Sequence, residues 1–393
     1  MSVSKSPPKS RLATHIVALP KSGIRDFFEL VNSMEDVISL GVGEPNFVTP
    51  WHIRESTIFA LEKGHTSYTS NLGLLSLRKE VCAYIARTRG VEYDPKTECI
   101  ITVGVSEALD LAMRAILNPG DEMIYHEPCY VSYSPEIKMT HGIPVTVETR
   151  EENAFTLEPA DIVKVLTPKT KGLLLNFPCN PTGATLDERR MGEIADIAIS
   201  RDLIVVSDEI YTELTYGERP NSIAALPGMR DRTLLLHGFS KAFAMTGYRM
   251  GFACGPFDLI DAMMKIHQYS MLCASRIAQE AAMEALRNGE KEMLRMKEQY
   301  HKRRDLIVKG LNEIGLACRP PEGAFYAFAN IRSTGMSSMD FAMTLLKKHR
   351  VAVVPGTAFG ACGEGYVRCA YAASYEDITE AVSRMREFVA SIK

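Results

Sequence analysis

The sequence predicts an α/β protein built on a mainly parallel sheet, with a smaller α+β part towards its C-terminal end. Three observations carry that reading. Up to about residue 255, short apolar runs alternate with segments of 12–16 residues whose apolar positions recur at helical spacing, the pattern of right-handed βαβ crossovers. The apolar runs end in turn-dense stretches that hold most of the chemically interesting side chains. In such sheets ligands sit in the crevice outside the carboxyl ends of the strands. Beyond Gly255 the alternation gives way to long helical spacings with three later apolar runs.

Residues 1–20 read as a loosely held arm, and Met1–Arg11 has no apolar h-region, so it does not read as a signal peptide. Ile24–Val31 has helix-like spacing and leads to a strand at Val37–Leu40. The loop G-V-G-E-P-N-F (Gly41–Phe47) follows, where glycines let backbone amides approach a ligand closely. Helices are expected at His52–Lys63 and Leu75–Arg87, separated by the polar loop Thr66–Gly73 with Tyr68 at its centre. A strand at Glu98–Val103, the breaker Gly104 and a helix at Ser106–Leu117 form a candidate anion site. The first-turn amides there lack partners and the helix dipole favours negative charge, although many such turns bind nothing.

The strand Glu122–His126 runs into E-P-C-Y-V-S-Y (Glu127–Tyr133), where either tyrosine could stack on a flat ring, packing being the commoner use. Further strands are expected at Ile143–Val147 and Gly172–Phe177, the second ending in the rigid loop N-F-P-C-N-P-T-G (Asn176–Gly183). A helix at Thr185–Ser200 precedes the strand Leu203–Ser207, which delivers Asp208 in S-D-E-I-Y. A carboxylate so placed needs a cationic or hydrogen-bonding partner. Thr233–His237 is one more apolar strand, stopped by Gly238. After it, Asp258–Asn288 is nearly all helical and Lys291–Ile314 is a long charged helix. Strands at Gly323–Ile331, Val351–Val354 and Tyr366–Ala372 accompany helices at Met339–Arg350 and Tyr375–Ile392, the last opened by Ser374 with Asp377 in a near capping box. In Y-V-R-C-A-Y-A, Arg368 is either an edge arginine in water or a guanidinium that needs an anion, such as a substrate carboxylate.

With 393 residues, 46% of them hydrophobic and 24% charged, the chain has the core for a large and a smaller domain. A formal net charge of −3 and the absence of basic runs argue against nucleic acid and membrane surfaces as partners. No apolar run reaches the ~20 residues a membrane span needs. The nine cysteines are scattered and include no C-x-x-C, which reads as reduced thiols in a cytoplasmic protein, neither a disulfide framework nor a zinc site.

The chemistry centres on Thr233–Gly251, T-L-L-L-H-G-F-S-K-A-F-A-M-T-G-Y-R-M-G. Lys241 lies just past the end of a buried strand and Arg249 follows eight residues later. Taken alone, Lys241 reads as an ordinary solvated lysine. A desolvated lysine near other cations, however, has a lowered pKa and becomes a nucleophile towards aldehydes, and an arginine beside it can grip a phosphate. Together they suggest pyridoxal 5′-phosphate held as a Schiff base.

These motifs, with V-P-G-T-A-F-G and Y-V-R-C-A-Y-A, stand in the order found in class I/II aminotransferases, which the chain resembles from about Gly23 to its end. Within that family it is most similar to bacterial enzymes of the aspartate and N-acetyl-diaminopimelate type, through Ser22–Phe27, His267–Tyr269, Cys273–Ser275 and Gly363–Arg368. The resemblance implies the fold type I architecture: a mainly parallel seven-stranded sheet flanked by helices, and a smaller α+β domain. It implies an arm and part of the small domain in residues 1–48, a cofactor-binding domain in 49–288 and a small domain in 289–393. Lys241 is then the Schiff-base lysine and proton carrier. Asp208 pairs with the pyridinium nitrogen, and Tyr211 and Asn180 bond the ring hydroxyl oxygen. Arg249, the amides of Val105 and Ser106, Ser240, and Tyr68 from a second subunit hold the phosphate, while Tyr130 stacks on the ring. Arg368 clamps the substrate α-carboxylate with Asn180 and the backbone of Gly43.

Two departures stand out. Gly238 occupies a position where many relatives have a hydroxyl residue, and Tyr130 stands where tryptophan is common. Arg25, Gln268, Tyr269 and Arg276 are candidates for reading the substrate side chain, each more readily structural. The implied activity is ping-pong amino transfer between an L-amino acid (aspartate, glutamate or a related acidic or diamino acid) and a 2-oxo acid such as 2-oxoglutarate, in a homodimer. A C–S β-lyase, an aromatic or hydrophobic amino acid aminotransferase, and a non-catalytic cofactor-binding regulatory module are the alternatives. The last is disfavoured because only about twenty residues precede the resemblance.

Overall fold

The computed structural model describes residues 11–17, 19, 31, 33–219 and 221–392. Arg25 and the helix expected over Ile24–Val31, apart from Val31 itself, lie outside them. The strands, in chain order, are β1 (Ile38–Ser39), β2 (Cys99–Val103), β3 (Glu122–Glu127), β4 (Ile143–Glu148), β5 (Thr170–Asn176), β6 (Ile204–Asp208), β7 (Thr233–Gly238), β8 (Met250–Cys254), β9 (Tyr326–Asn330), β10 (Val351–Ala352), β11 (Val354–Pro355) and β12 (Tyr366–Ala370).

Seven of these form one sheet in the order β2-β8-β7-β6-β5-β3-β4. All neighbours are parallel except β8, which runs antiparallel to both β2 and β7. The sequence pattern shows no strand between Lys241 and Gly255, yet β8 is there. The eleven residues between it and β7 hold no α-helix, only the short 3-10 turn Thr246–Tyr248, so the helical crossover that a parallel return needs is missing and the chain folds back. Along β7, Leu234 and Leu236 enter one core cluster and Leu235 another. In β5, Leu174 likewise opposes Leu173 and Leu175. Both faces are therefore covered, as a parallel sheet requires. Helix Gly104–Ile116 packs with helix Phe257–Ser270 on one face. Helices Trp51–Glu62, Leu75–Arg89 and Arg276–Asn288 gather on the other.

A second, antiparallel sheet has the order β11-β12-β9, and β1 pairs in parallel with β10. Helices Glu290–Glu313, Ser338–His349 and Tyr375–Ser391 share its core. The strand expected over Val351–Val354 is thus two short strands in different sheets, parted at Val353. The helical run expected over Asp258–Asn288 breaks after Ser270, where Leu272 takes φ +67 and the Ser275 side chain caps a new helix by accepting from the Ala278 amide. The helix expected from Thr185 starts at Glu188, because the Asp187 carboxylate accepts from the Arg190 amide as its N-cap. Short helices Tyr133–Met139 and Pro159–Val165 have no counterpart in the sequence reading. Ser374 caps the last helix through the Asp377 amide, as expected. Among the described residues no helix is long and apolar enough to cross a membrane.

Candidate active site

The parallel strands end on one edge. Asn176 and Asp208 are register partners across β5 and β6, and Gly238 closes β7 beside them. Val103 of β2 pairs with Met250 at the start of β8, so Gly104 and Arg249 reach the same edge. A cavity of about 530 Å³ opens there. It brings together Gly43, Val105, Ser106, Tyr130, Asn180, Asp208, Tyr211, Ser240, Lys241, Arg249 and Arg368 from segments far apart in the chain.

Lys241 donates to the Gly43 carbonyl oxygen at 2.7 Å. Burial, assisted by the Arg368 and Arg249 cations, pushes its pKa down to about 8. Asp208 is buried, and desolvation raises its pKa to about 6 against the hydrogen bonds it accepts. Those come from the Tyr133 hydroxyl at 2.8 Å and the Ile210 amide at 3.2 Å. The Asn176 side chain donates to the Asp208 carbonyl oxygen and accepts from the Asn180 amide, which ties the β5 loop to the end of β6. Tyr211 and Tyr326 share a hydrogen bond between hydroxyls at 2.7 Å, and burial holds the Tyr211 phenol well above its ordinary pKa.

Arg368, on β12, donates Nη1 to Asn180 Oδ1 at 2.8 Å and Nη2 to the Gly41 carbonyl oxygen at 2.7 Å. Its guanidinium lies over the rings of Tyr326 and Phe359 at 4.4 and 4.7 Å. Its Nε is buried without a partner, a standing cost unless an anion arrives. At the other end of the cavity, Arg249 has φ +53 and donates to the Thr246 carbonyl oxygen. Its Nη2 lies 2.7 Å from where a Cβ on Gly104 would stand, too close for a side chain there with Arg249 so placed. Gly104 also has φ +74 and opens a helix with no side-chain cap, and Val105 and Ser106 of its first turn line the cavity.

Of the residues expected in the site, Tyr68 is not part of this cavity; its side chain is 80% exposed. Gln268, Tyr269 and Arg276 do not line it either. Two contributors escaped the sequence reading in their roles, Tyr133 as the donor to Asp208 and Tyr326 as the partner of Tyr211. Gly238 is explained by space. A Cβ there would meet the Met250 carbonyl oxygen at 2.9 Å, Val105 Cγ2 at 3.0 Å and Gly251 Cα at 3.1 Å.

The family profile described as aminotransferase class I and II matches residues 35–385. The chain belongs to this family. YugH of Bacillus subtilis (strain 168), an aminotransferase by name, is 53% identical over 380 residues, covering 97% of this chain and 98% of that protein. An aspartate aminotransferase of Pyrococcus abyssi (strain GE5 / Orsay) is 44% identical over 369 residues, 93% of this chain and 95% of its own. Among solved structures, an aromatic aminotransferase from Pyrococcus horikoshii OT3 superposes with a TM-score of 0.89 at 45% identity, covering 94% and 99% of the two chains. The protein is therefore an aminotransferase with the α/β fold of the pyridoxal-phosphate-dependent enzymes.

The cavity of this aminotransferase fits that cofactor. Its lining carries three cations, Lys241, Arg249 and Arg368, against two carboxylates, Asp208 and Glu44. A phosphate and a substrate carboxylate would balance the surplus, and the buried Asp208 carboxylate wants a cation opposite it.

Proposed function

We propose that this aminotransferase moves an amino group between an L-amino acid and a 2-oxo acid in two half-reactions on one site, with glutamate and 2-oxoglutarate as one pair. The observation that supports it most is the convergence of a lowered-pKa lysine, a buried carboxylate and an under-bonded buried arginine on one cavity. Pyridoxal phosphate, when bound, supplies an aldehyde carbon and a protonated ring that draws electrons from the substrate Cα. Arg249, the Val105 and Ser106 amides and Ser240 hold its phosphate, and Tyr130 covers its ring. Asp208, oriented by Tyr133, keeps the ring nitrogen protonated. Tyr211 and Asn180 bond the ring hydroxyl oxygen. Lys241 would serve as the amine towards the aldehyde carbon and as the base and acid that moves the proton at the substrate Cα. Arg368 binds the α-carboxylate in a two-pronged grip beside Asn180.

The reading includes a dimer in which Tyr68 of one copy reaches the phosphate site of the other. In support, the exposed Tyr68 loop is joined to a second exposed apolar turn: Asn71 donates to the Leu272 carbonyl oxygen, and Tyr269, Met271 and Leu272 are 88%, 52% and 40% exposed. A monomer with full activity would overturn this part. For the other substrate, an acidic or diamino acid remains the first reading from the resemblance. The cavity wall favours a second, an aromatic or aliphatic amino acid. Val42, Leu109, Val131, Ile210 and Phe359 line it, and its three cations already have roles. Rates with 2-oxoglutarate and a panel of phenylalanine, leucine, aspartate and N-acetyl-diaminopimelate separate the two. An aspartate preference would mean that a further cation reaches the site from outside these residues. Lys241→Ala tests the core of the proposal: it should abolish transfer while cofactor still binds, and retained turnover would sink the mechanism.

A further inference from the structure

We propose that Cys82, Cys99 and Cys254 form a binding site for a divalent thiophilic cation of the zinc class. Cys99 and Cys254 face each other across β2 and β8. The Gly255 amide donates to the Glu98 carbonyl oxygen, which makes the adjoining 98/255 pair the hydrogen-bonded one and leaves 99/254 as the narrow pair, with its side chains close together. Cys82 drops onto them from helix Leu75–Arg89, and the three sulfurs lie within 4.8 Å of one another. Around zinc, at Zn–S of about 2.3 Å, sulfurs sit about 3.8–4.0 Å apart, so each has to move inward by at most about 0.5 Å. The residues are 6%, 0% and 0% exposed, and soft thiolate ligands select such metals.

Buried cysteines often act only as small apolar fillers. Arg78 argues otherwise. It sits one turn before Cys82 on the same helix and is 6% exposed. Its guanidinium donates to the carbonyl oxygens of Gly73, Pro95 and Lys96. Among the described residues no carboxylate forms an ion pair with it; Cys99 and Cys82, with Asp94 after them, are the groups placed to attract its charge. A buried cation needs a compensating anion. Three thiolates with a divalent cation carry one negative charge, which Arg78 matches; a monovalent metal would leave two. The site lies at the far ends of β2 and β8, about 14 Å along the strands from Val103 and Met250 at the cavity. It would staple a helix to the two strands whose other ends carry Gly104 and Arg249.

The test uses reduced holoenzyme in which the half-exposed Cys273 and Cys362 are replaced by serine, stripped with a chelator. Titration with Cd²⁺ alone, followed by sulfur-to-cadmium absorbance in the ultraviolet, should saturate at one equivalent per chain. X-ray absorption of the Zn²⁺ form should show three sulfurs at about 2.3 Å, which needs no change at the site itself. Cys82→Ser and Cys254→Ala should each lose stoichiometric uptake. Arg78→Gln should weaken it by about tenfold or more. Failure of the parent protein to take up either metal, uptake that survives Cys82→Ser, a coordination shell of nitrogen and oxygen only, or a Cys99–Cys254 disulfide in the purified protein would each overturn the assignment.

Discussion

Replacing Gly238 by serine introduces the hydroxyl that the family resemblance leads one to expect there, and intuition says it should add a phosphate ligand. The structure argues the reverse. A Cβ at this position would stand 2.9 Å from the Met250 carbonyl oxygen, which already accepts from the Phe239 amide at 3.2 Å, and 3.1 Å from Gly251 Cα. Two of the three obstacles are therefore backbone, fixed in the β7–β8 ladder, and neither is the far end of a flexible side chain. Overpacking of this kind costs about 1–3 kcal/mol. For a chain of this length, unfolding entropy near 0.8 kcal/mol per kelvin turns that into a Tm loss of about 1–4 °C. Relief requires β8 to move away from β7, which carries Arg249 and Gly104 apart from the Ser240–Lys241 turn. The dissociation constant for pyridoxal phosphate, measured by equilibrium dialysis against both proteins, should rise at least about fivefold, equivalent to about 1 kcal/mol. A Gly238→Ser protein that held the cofactor more tightly at unchanged Tm would refute the packing argument.

Arg368→Ala should lower kcat/KM by about 30- to 1,000-fold, mainly through KM, since losing one partner of a desolvated charge pair costs about 2–4 kcal/mol; Arg368→Lys should recover little, because an ammonium lacks the planar fork. Asp208 in cofactor-free protein has its pKa raised to about 6 from an ordinary value of 3.8. Between those values the unfolded chain has lost the proton and the folded chain has kept it, so this group's contribution falls as pH rises from about 4 to 6. Asp208→Asn should remove that slope and leave the cofactor-free protein up to about 2–3 kcal/mol more stable, relative to the parent, at pH 7 than at pH 4, while transfer activity collapses. Arg89 is wholly buried, with Nε 2.9 Å from Glu209 and Nη2 2.5 Å from Glu213. Arg89→Met removes the shared guanidinium, leaving Glu209 to the Ser207 and Ser222 hydroxyls and Glu213 to Tyr84 and His237, and should cost about 3–5 kcal/mol, seen as a Tm loss of about 4–6 °C.

What the sequence revealed and what it hid divide along a physical line. Asp208 could be picked out because a carboxylate at the end of an apolar run is costly without a partner, whereas Lys241 and Arg368 stood out from solvated residues only through the company of the other motifs. Tyr133 and Tyr326 could not be assigned roles, because a tyrosine in an apolar stretch looks the same whether its hydroxyl meets Asp208, Tyr211 or water. Their partners are set by packing between segments 75 and 115 residues apart. β8 was hidden because five residues containing a glycine give a weak strand signal, and its antiparallel direction goes with the absence of a crossover helix before it. The three thiols were invisible for a related reason: metal sites are read from close spacing, whereas these come from a helix and two strands that only the sheet order makes neighbours.

The segment Gly41–Glu44 draws these pieces into one device. Lys241 donates to the Gly43 carbonyl oxygen and Arg368 to that of Gly41, while the Thr246 hydroxyl meets the Glu44 carboxylate. Two of these three tethers use donors that the proposed chemistry needs elsewhere, one at a carbonyl carbon and one at a carboxylate. The segment already packs closely on Tyr326: a Cβ at Gly43 would lie 2.6 Å from its hydroxyl oxygen. Productive binding must therefore trade both tethers for contacts with the ligands, and the segment's position and the site's occupancy become linked equilibria. By reciprocity, whatever frees the segment in the empty site makes Lys241 and Arg368 easier to engage, by the same factor that their engagement frees the segment.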